Sequence, residues 1–186
     1  MKHDPKYYNT KIKTEKGRCD SYLYRKFMDM KARCYNLKHP NYKDYGERGI
    51  KVEDWLLNFH NYVDYTIDIL PKGATIEDMQ KLRHSIDRID NNGDYKRGNL
   101  RWASQRMQNL NRRIHISNSS GFQGVSWNKK GKKWVVRINS KNKYEYLGSF
   151  NTREEAFAVY LEAVRKHQGQ EAYEHVLSLH PHWEAV

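Results

Sequence analysis

The chain has 186 residues, room for one or two small compact domains. Its 34 Lys and Arg against 22 Asp and Glu leave a formal net charge of +12, which points to a polyanionic partner, nucleic acid first and an anionic membrane surface as the rival. No apolar run reaches the length of a membrane span, the opening stretch MKHDPKYYNTKIK lacks the apolar core of a secretory signal, and Cys19 and Cys34 are too far apart for a CxxC zinc site.

These exclusions lead to the expectation of a soluble, cytoplasmic protein with two free thiols, no structural zinc and no membrane partner. The 14 Tyr and 5 Trp are either core residues, the default for any one of them, or platforms for stacking on nucleotides.

Residues 1–19 are lysine-rich and polar, and are expected to form a basic flexible arm. From Ser21 to Asn36 the apolar positions Leu23, Phe27, Met30 and Cys34 predict a helix with one buried stripe. KHPNYKDYGERGI follows as a loop punctuated by Pro40, Gly46 and Gly49. Trp55, Leu56, Phe59, Tyr62, Val63 and Ile67 predict a second helix ending before PKGA.

SIDRIDNNGDYKRGNLRW then reads as a short strand at Ser85–Ile89, a turn-rich loop through Gly98, and a second strand at Asn99–Trp102. Ser104 is placed to cap a helix running through Arg113.

HISNSSGFQG, residues 115–124, is the best boundary in the chain, with a linker expected at 115–120. Beyond it, FQGVSW, KKWVVRIN and KYEYLGSF predict a three-stranded antiparallel meander. NTREEAFAVYLEAVRKHQG opens with a capping box, Thr152 and Glu155, and carries Ala156, Phe157, Tyr160 and Val164 on one helical face. Residues 170–186 are expected as a C-terminal tail. The fold class is thus α+β, with N-terminal helices leading into a strand–loop–strand–helix unit, then a three-stranded sheet packed on one helix.

Asp87, Asp90 and Asp94 are acids gathered in a basic chain. A carboxylate at a strand end, with polar groups on the following helix, suits one hard divalent cation such as Mg²⁺ or Mn²⁺. Such a cation stabilises the leaving 3′ oxygen of a phosphodiester. A hairpin turn rich in Asn, Asp and Gly accounts for the same composition.

SIDRIDNNGDYKRGNLRWASQRMQNLNRR resembles the ββα-metal core of HNH endonucleases, in the branch found in phage homing enzymes. LYRKFMDMKARCYNLKHPNYKDYGERGIKVEDWL resembles the segment preceding that core, so the likeness spans Tyr22 to Arg113, within an expected domain at 20–114. It implies Asp87 as first metal ligand, Asn99 as the residue bracing the loop, and Gln108 as the ligand on the helix, with Asn109 and Asn111 as nearby substitutes. Many relatives carry Asn or His where this chain has Gln108.

The commonest HNH sequence has Asp-His, the histidine being the general base. Here the second residue is Arg88, which cannot accept a proton. The resemblance gives it contact with the scissile phosphate. His39 and Tyr45 are the candidates to generate the nucleophile, Tyr45 by attacking or orienting water and His39 as base or phosphate ligand. Packing of the loop is the competing role for both. Strand alternation points His84 away from Asp87.

The segment from Gly121 to about Gly169 resembles the AP2 DNA-binding domain, most specifically at LGSF-NTREEAFAVY. Alternation along KKWVVRIN puts Lys133, Val135, Arg137 and Asn139 on one face, and Trp134, Val136 and Ile138 on the other. Trp127, Lys129, Lys130, Lys132, Arg137 and Tyr144 are the candidate DNA contacts, in the manner of β-sheet readers.

The expectation is therefore a metal-dependent, homing-type DNA endonuclease whose partner is double-stranded DNA, with no small-molecule cofactor. If phage-encoded, it would act inside the host cell. A non-cleaving sequence-specific DNA-binding protein with a degenerate HNH core is the alternative. An RNA-binding or structural phage protein would fit the charge but not the metal-site spacing.

Overall fold

The computed structural model describes residues 22–140 and 143–183. The arm expected at 1–19, with Cys19, lies outside the described residues. The protein is α+β and divides into two compact units, Met1–Gln108 and Asn109–Val186. Among the described residues no helix is long and apolar enough to cross a membrane.

In the first unit, α1 (Tyr22–Tyr35) buries Leu23, Phe27, Met30 and Cys34, the stripe its spacing predicts. Burial pushes the Cys34 thiol up to about 11, so it packs as a small hydrophobe rather than reacting. Phe27 meets Phe59 and Tyr62 with ring centroids 5.4 Å apart in each pair, joining α1 to α2 (Phe59–Asp68).

The helix expected from Trp55 to Ile67 is interrupted. A 3₁₀ turn covers Asp54–Leu57, and α2 starts only after Asn58, whose side chain accepts from the backbone N–H groups of His60 and Asn61. A short amide that satisfies those first N–H groups makes an N-cap, not a helix interior.

A further helix, α3 (Ile76–Lys81), is absent from the apolar pattern. Thr75 and Asp78 form a capping box at its start, a legible signal that length alone obscured.

Strands β1 (Ser85–Arg88) and β2 (Leu100–Ala103) form an antiparallel hairpin with Ser85 opposite Ala103 and Asp87 opposite Arg101. Opposed residues share a face, so Ser85, Asp87, Arg101 and Ala103 line one side and Ile86, Arg88, Leu100 and Trp102 the other. The second side packs inward: Leu100 is buried and the Trp102 indole donates to the Thr66 carbonyl at 2.8 Å.

Helix α4 spans Gln105–Leu110, ending earlier than the expected Arg113, and the Met107 N–H donates to the Ser104 hydroxyl at 3.2 Å.

In the second unit, β3 (Val125–Asn128), β4 (Lys133–Ser140) and β5 (Lys143–Phe150) form the expected antiparallel meander in the order β3-β4-β5. α5 (Arg153–Gln168) carries the Thr152–Glu155 capping box and buries Ala156, Phe157, Tyr160 and Val164. The stretch beyond Gly169, read from the sequence as a tail, forms α6 (Gln170–Ser178), which buries Ala172 and Val176. Ser120, within the expected linker, is fully buried and donates to the Val125 carbonyl at 2.9 Å.

Candidate functional site

The loop between β1 and β2 is built around Asn99. Its side-chain carbonyl accepts from the Asp90 N–H at 2.8 Å, and its amide donates to the carbonyls of Asp94 (2.8 Å) and Asp90 (3.2 Å). One buried amide thus ties the start, middle and end of the loop together, and β2 begins at Leu100, one residue later than expected. Gly93 is part of the same device, since a Cβ there would stand 2.9 Å from the Asn99 amide nitrogen.

The upstream segment is stitched to this loop. The Lys51 N–H donates to Asp94 Oδ1 at 2.8 Å, Tyr95 N–H to the Lys51 carbonyl at 2.9 Å, and the Arg48 guanidinium to Asn92 Oδ1 at 2.8 Å. A parallel bridge between Val52 and Tyr95 completes the seam. Gly46 allows the chain to fold close: an added Cβ would lie 2.2 Å from both the Cys34 carbonyl and the Tyr42 ring.

Asp87 and Gln108 lie on one side of the hairpin. The Gln108 amide nitrogen donates to the Ser85 hydroxyl (2.9 Å) and the Ala103 carbonyl (3.0 Å), and the Ser85 side chain lies on the strand face that carries Asp87. With the nitrogen engaged, Oε1 is the end of the amide that remains for a ligand. A carboxylate and an amide oxygen are hard donors of the kind Mg²⁺ and Mn²⁺ take while keeping several waters, so the pair fits such an ion chemically. Arg101 Nη2 stands 3.4 Å from Asp87 Oδ2 on the same face. Among the described residues no three His, Cys, Asp or Glu side chains gather as a metal site. Of the substitutes for Gln108, Asn109 is exposed and Asn111 is buried.

Arg88 goes elsewhere than expected. It is 4% exposed, on the face opposite Asp87, and donates to the Gly93 carbonyl at 2.8 Å. Its guanidinium carbon stands 4.9 Å from the Tyr45 ring centroid and 5.1 Å from that of Tyr95. Adjacent strand residues cannot share a face, so the sequence neighbours Asp87 and Arg88 part company.

Tyr45 and His39 are nevertheless drawn into one network through two residues of α1 that the sequence did not single out, and Arg88 meets it at the Tyr45 ring. Arg33 donates from Nη1 to the Tyr45 hydroxyl at 3.1 Å and from Nη2 to Asp29 Oδ2 at 2.6 Å. Asp29 Oδ1 stands 3.4 Å from His39 Nε2, while His39 Nδ1 accepts from the Asn41 N–H at 3.2 Å. Both ring nitrogens of His39 are occupied, and the nitrogen that faces a carboxylate is the one that carries the proton in the neutral ring. This arrangement suits a scaffold role for His39 better than that of a base. Tyr45 also stacks on Tyr95 at 6.3 Å, and burial raises the Tyr95 hydroxyl well above the usual range.

In the second unit the pairing puts Ser126, Val135 and Ser149 on one face of the sheet, and Trp127, Trp134 and Phe150 on the other. A register shift at Val136/Arg137 keeps Arg137 opposite Tyr146, and Asn139 opposite Tyr144. The face away from α5 therefore presents Arg137, Tyr144 and Tyr146, the tyrosines 78% and 59% exposed. Tyr146, missed from the sequence, belongs with Tyr144.

Trp127 does not share that face. It packs against Trp134 at 4.9 Å on the helix side. Lys129, Lys130 and Lys132 are exposed in the β3–β4 turn.

No family model, no curated protein and no solved structure matches this chain.

Proposed function

We propose that the protein is a metal-dependent DNA endonuclease of the HNH type, carrying an AP2-like module that locates its site on double-stranded DNA. The observation that carries this reading is the convergence of Gln108 and Asp87 on one face of a hairpin whose loop Asn99 braces. Asp87 and Gln108 would hold Mg²⁺ or Mn²⁺, whose chemistry is stabilisation of the leaving 3′ oxygen.

The chain's own groups divide the remaining work. Tyr45 offers a hydroxyl for orienting the attacking water or donating to a phosphate oxygen. Arg88, buried against Tyr45 and Tyr95, holds the tyrosine in place instead of meeting DNA itself. The net charge of +12, with Lys129, Lys130, Lys132 and Arg137 on exposed positions, supplies a field that gathers DNA irrespective of sequence. Arg137, Tyr144 and Tyr146 on the uncovered sheet face supply groups for groove contact.

A second reading, a DNA-binding protein that does not cleave, is favoured by one observation: the Arg101 guanidinium sits against the proposed metal ligand Asp87. The two part in a plasmid assay. Purified protein with supercoiled DNA and Mg²⁺ should yield nicked or linear product, and chelation or Asp87→Ala should stop it while DNA retention in a gel is kept. Retention without cleavage in Mg²⁺ or Mn²⁺ would establish the second reading.

A further inference from the structure

Two α1 side chains hold the Tyr45 phenol without having a part in the function proposed above. Asp29 and Arg33 are one helical turn apart and pair directly, Nη2 to Oδ2 at 2.6 Å. Arg33 then reaches Tyr45 with its second terminal nitrogen, and Asp29 reaches His39 with its second oxygen.

A guanidinium has donors and no acceptor, so the Tyr45 oxygen is the accepting partner and its own proton must point elsewhere. The ring itself is confined: Arg33 and Arg88 each place a guanidinium carbon 4.9 Å from its centroid. An independent observation ties this pair to the hairpin. A cleft of about 200 Å³ is lined by Asp29 and Arg33 from α1 together with Ser85 and Gln108.

We infer that Arg33 and Asp29 are positioning residues of the cleaving centre, fixing Tyr45 as an acceptor from Arg33 so that its hydroxyl proton is presented to a phosphate oxygen of bound DNA. The inference rests on the nuclease reading and adds to it how the tyrosine is aimed. Arg33 contributes through geometry, since its planar fork holds Tyr45 from Nη1 and Asp29 from Nη2 in fixed directions that a single ammonium on a flexible stem does not reproduce.

The test is steady-state cleavage of supercoiled plasmid by the full chain in Mg²⁺, with kcat and KM measured for wild type, Arg33→Lys, Asp29→Asn, Tyr45→Phe and the Arg33→Lys/Tyr45→Phe double variant. Arg33→Lys should lower kcat about ten- to a hundredfold with KM changed less than about threefold, and Asp29→Asn should lower it about three- to tenfold. The double variant should be no slower than Tyr45→Phe alone, because both changes remove one device. Multiplying effects, or an unchanged kcat in Arg33→Lys, would overturn the inference. If Arg33→Lys does not fold, Asp29→Asn decides, as its side chain is 48% exposed and its loss does not threaten the core; wild-type kcat there overturns the inference as well. A wild-type chain that never cuts defeats the nuclease reading and this inference together, and that failure is visible in the wild-type lane.

Discussion

Asp87 and Arg101 face each other across the β1–β2 hairpin, Nη2 to Oδ2 3.4 Å apart, both side chains only partly open to solvent. A fixed cation this close to a carboxylate opposes the arrival of a second one. Arg101→Gln should therefore lower the Mg²⁺ concentration for half-maximal cleavage, by about three- to tenfold for a partly screened pair. The measurement is a Mg²⁺ titration of plasmid cleavage. If Arg101→Gln instead abolishes cutting at saturating Mg²⁺, Arg101 meets the phosphate and the competition argument fails.

Arg88 gives a different expectation. A buried guanidinium hydrogen-bonded to Gly93 and flanked by two tyrosine rings is part of the loop's construction. Arg88→Ala removes the charge-assisted bond and both ring contacts, and should cost the first unit about 2–4 kcal/mol. Arg88→Lys should recover little of it, lacking the planar fork. Thermal unfolding reads this directly. A variant with wild-type stability and lost turnover would return Arg88 to the phosphate.

Local patterns were legible in the sequence, and approaches between elements were not. The period of Leu23, Phe27, Met30 and Cys34 is a property of α1 itself, and the structure buries all four. The capping box at Thr152 and the alternation through Val136 and Ile138 are equally local. The resemblance gives Arg88 a phosphate contact, although the strand alternation that turns His84 away from Asp87 turns Arg88 away as well. Arg33 and Asp29 were invisible for another reason. They reach Tyr45 and His39 by packing α1 against a loop, and no spacing in the sequence reports that approach. Trp127 fell to register: its face follows from pairing with Trp134, which no single strand reveals.

The sheet therefore sorts its aromatic residues by face. Tyr144→Ala and Tyr146→Ala should each weaken DNA binding about five- to a hundredfold if the uncovered face docks, a scale set by one stacking or groove contact. Arg137→Ala should also reduce the salt dependence, by about 0.9 in the slope of log K against log salt for one phosphate lost. Trp127→Ala, on the helix side, should lower stability more than affinity. Binding isotherms at several salt concentrations, beside melts of the same variants, separate these outcomes. Equal affinity in both tyrosine variants would take the uncovered face out of DNA recognition.

His180 sets a pH limit on the second unit. Its ring lies 4.7 Å from Phe157 and 5.4 Å from Phe122, with Nε2 buried and without a hydrogen bond among the described residues. Burial lowers its proton affinity below the ordinary imidazole value of 6.5. The unfolded chain, with an unperturbed histidine, then binds the proton more readily than the folded one. Stability is unaffected by His180 well above pH 6.5 and declines as pH falls through that value toward the lower folded one. His180→Phe keeps an aromatic ring against Phe157 and removes the titration. The thermal midpoint of the full chain, measured from pH 8 to pH 5, should fall more steeply for wild type than for His180→Phe. Parallel curves would mean that the cluster opens to admit water to the ring, and that α6 is not held by a neutral imidazole.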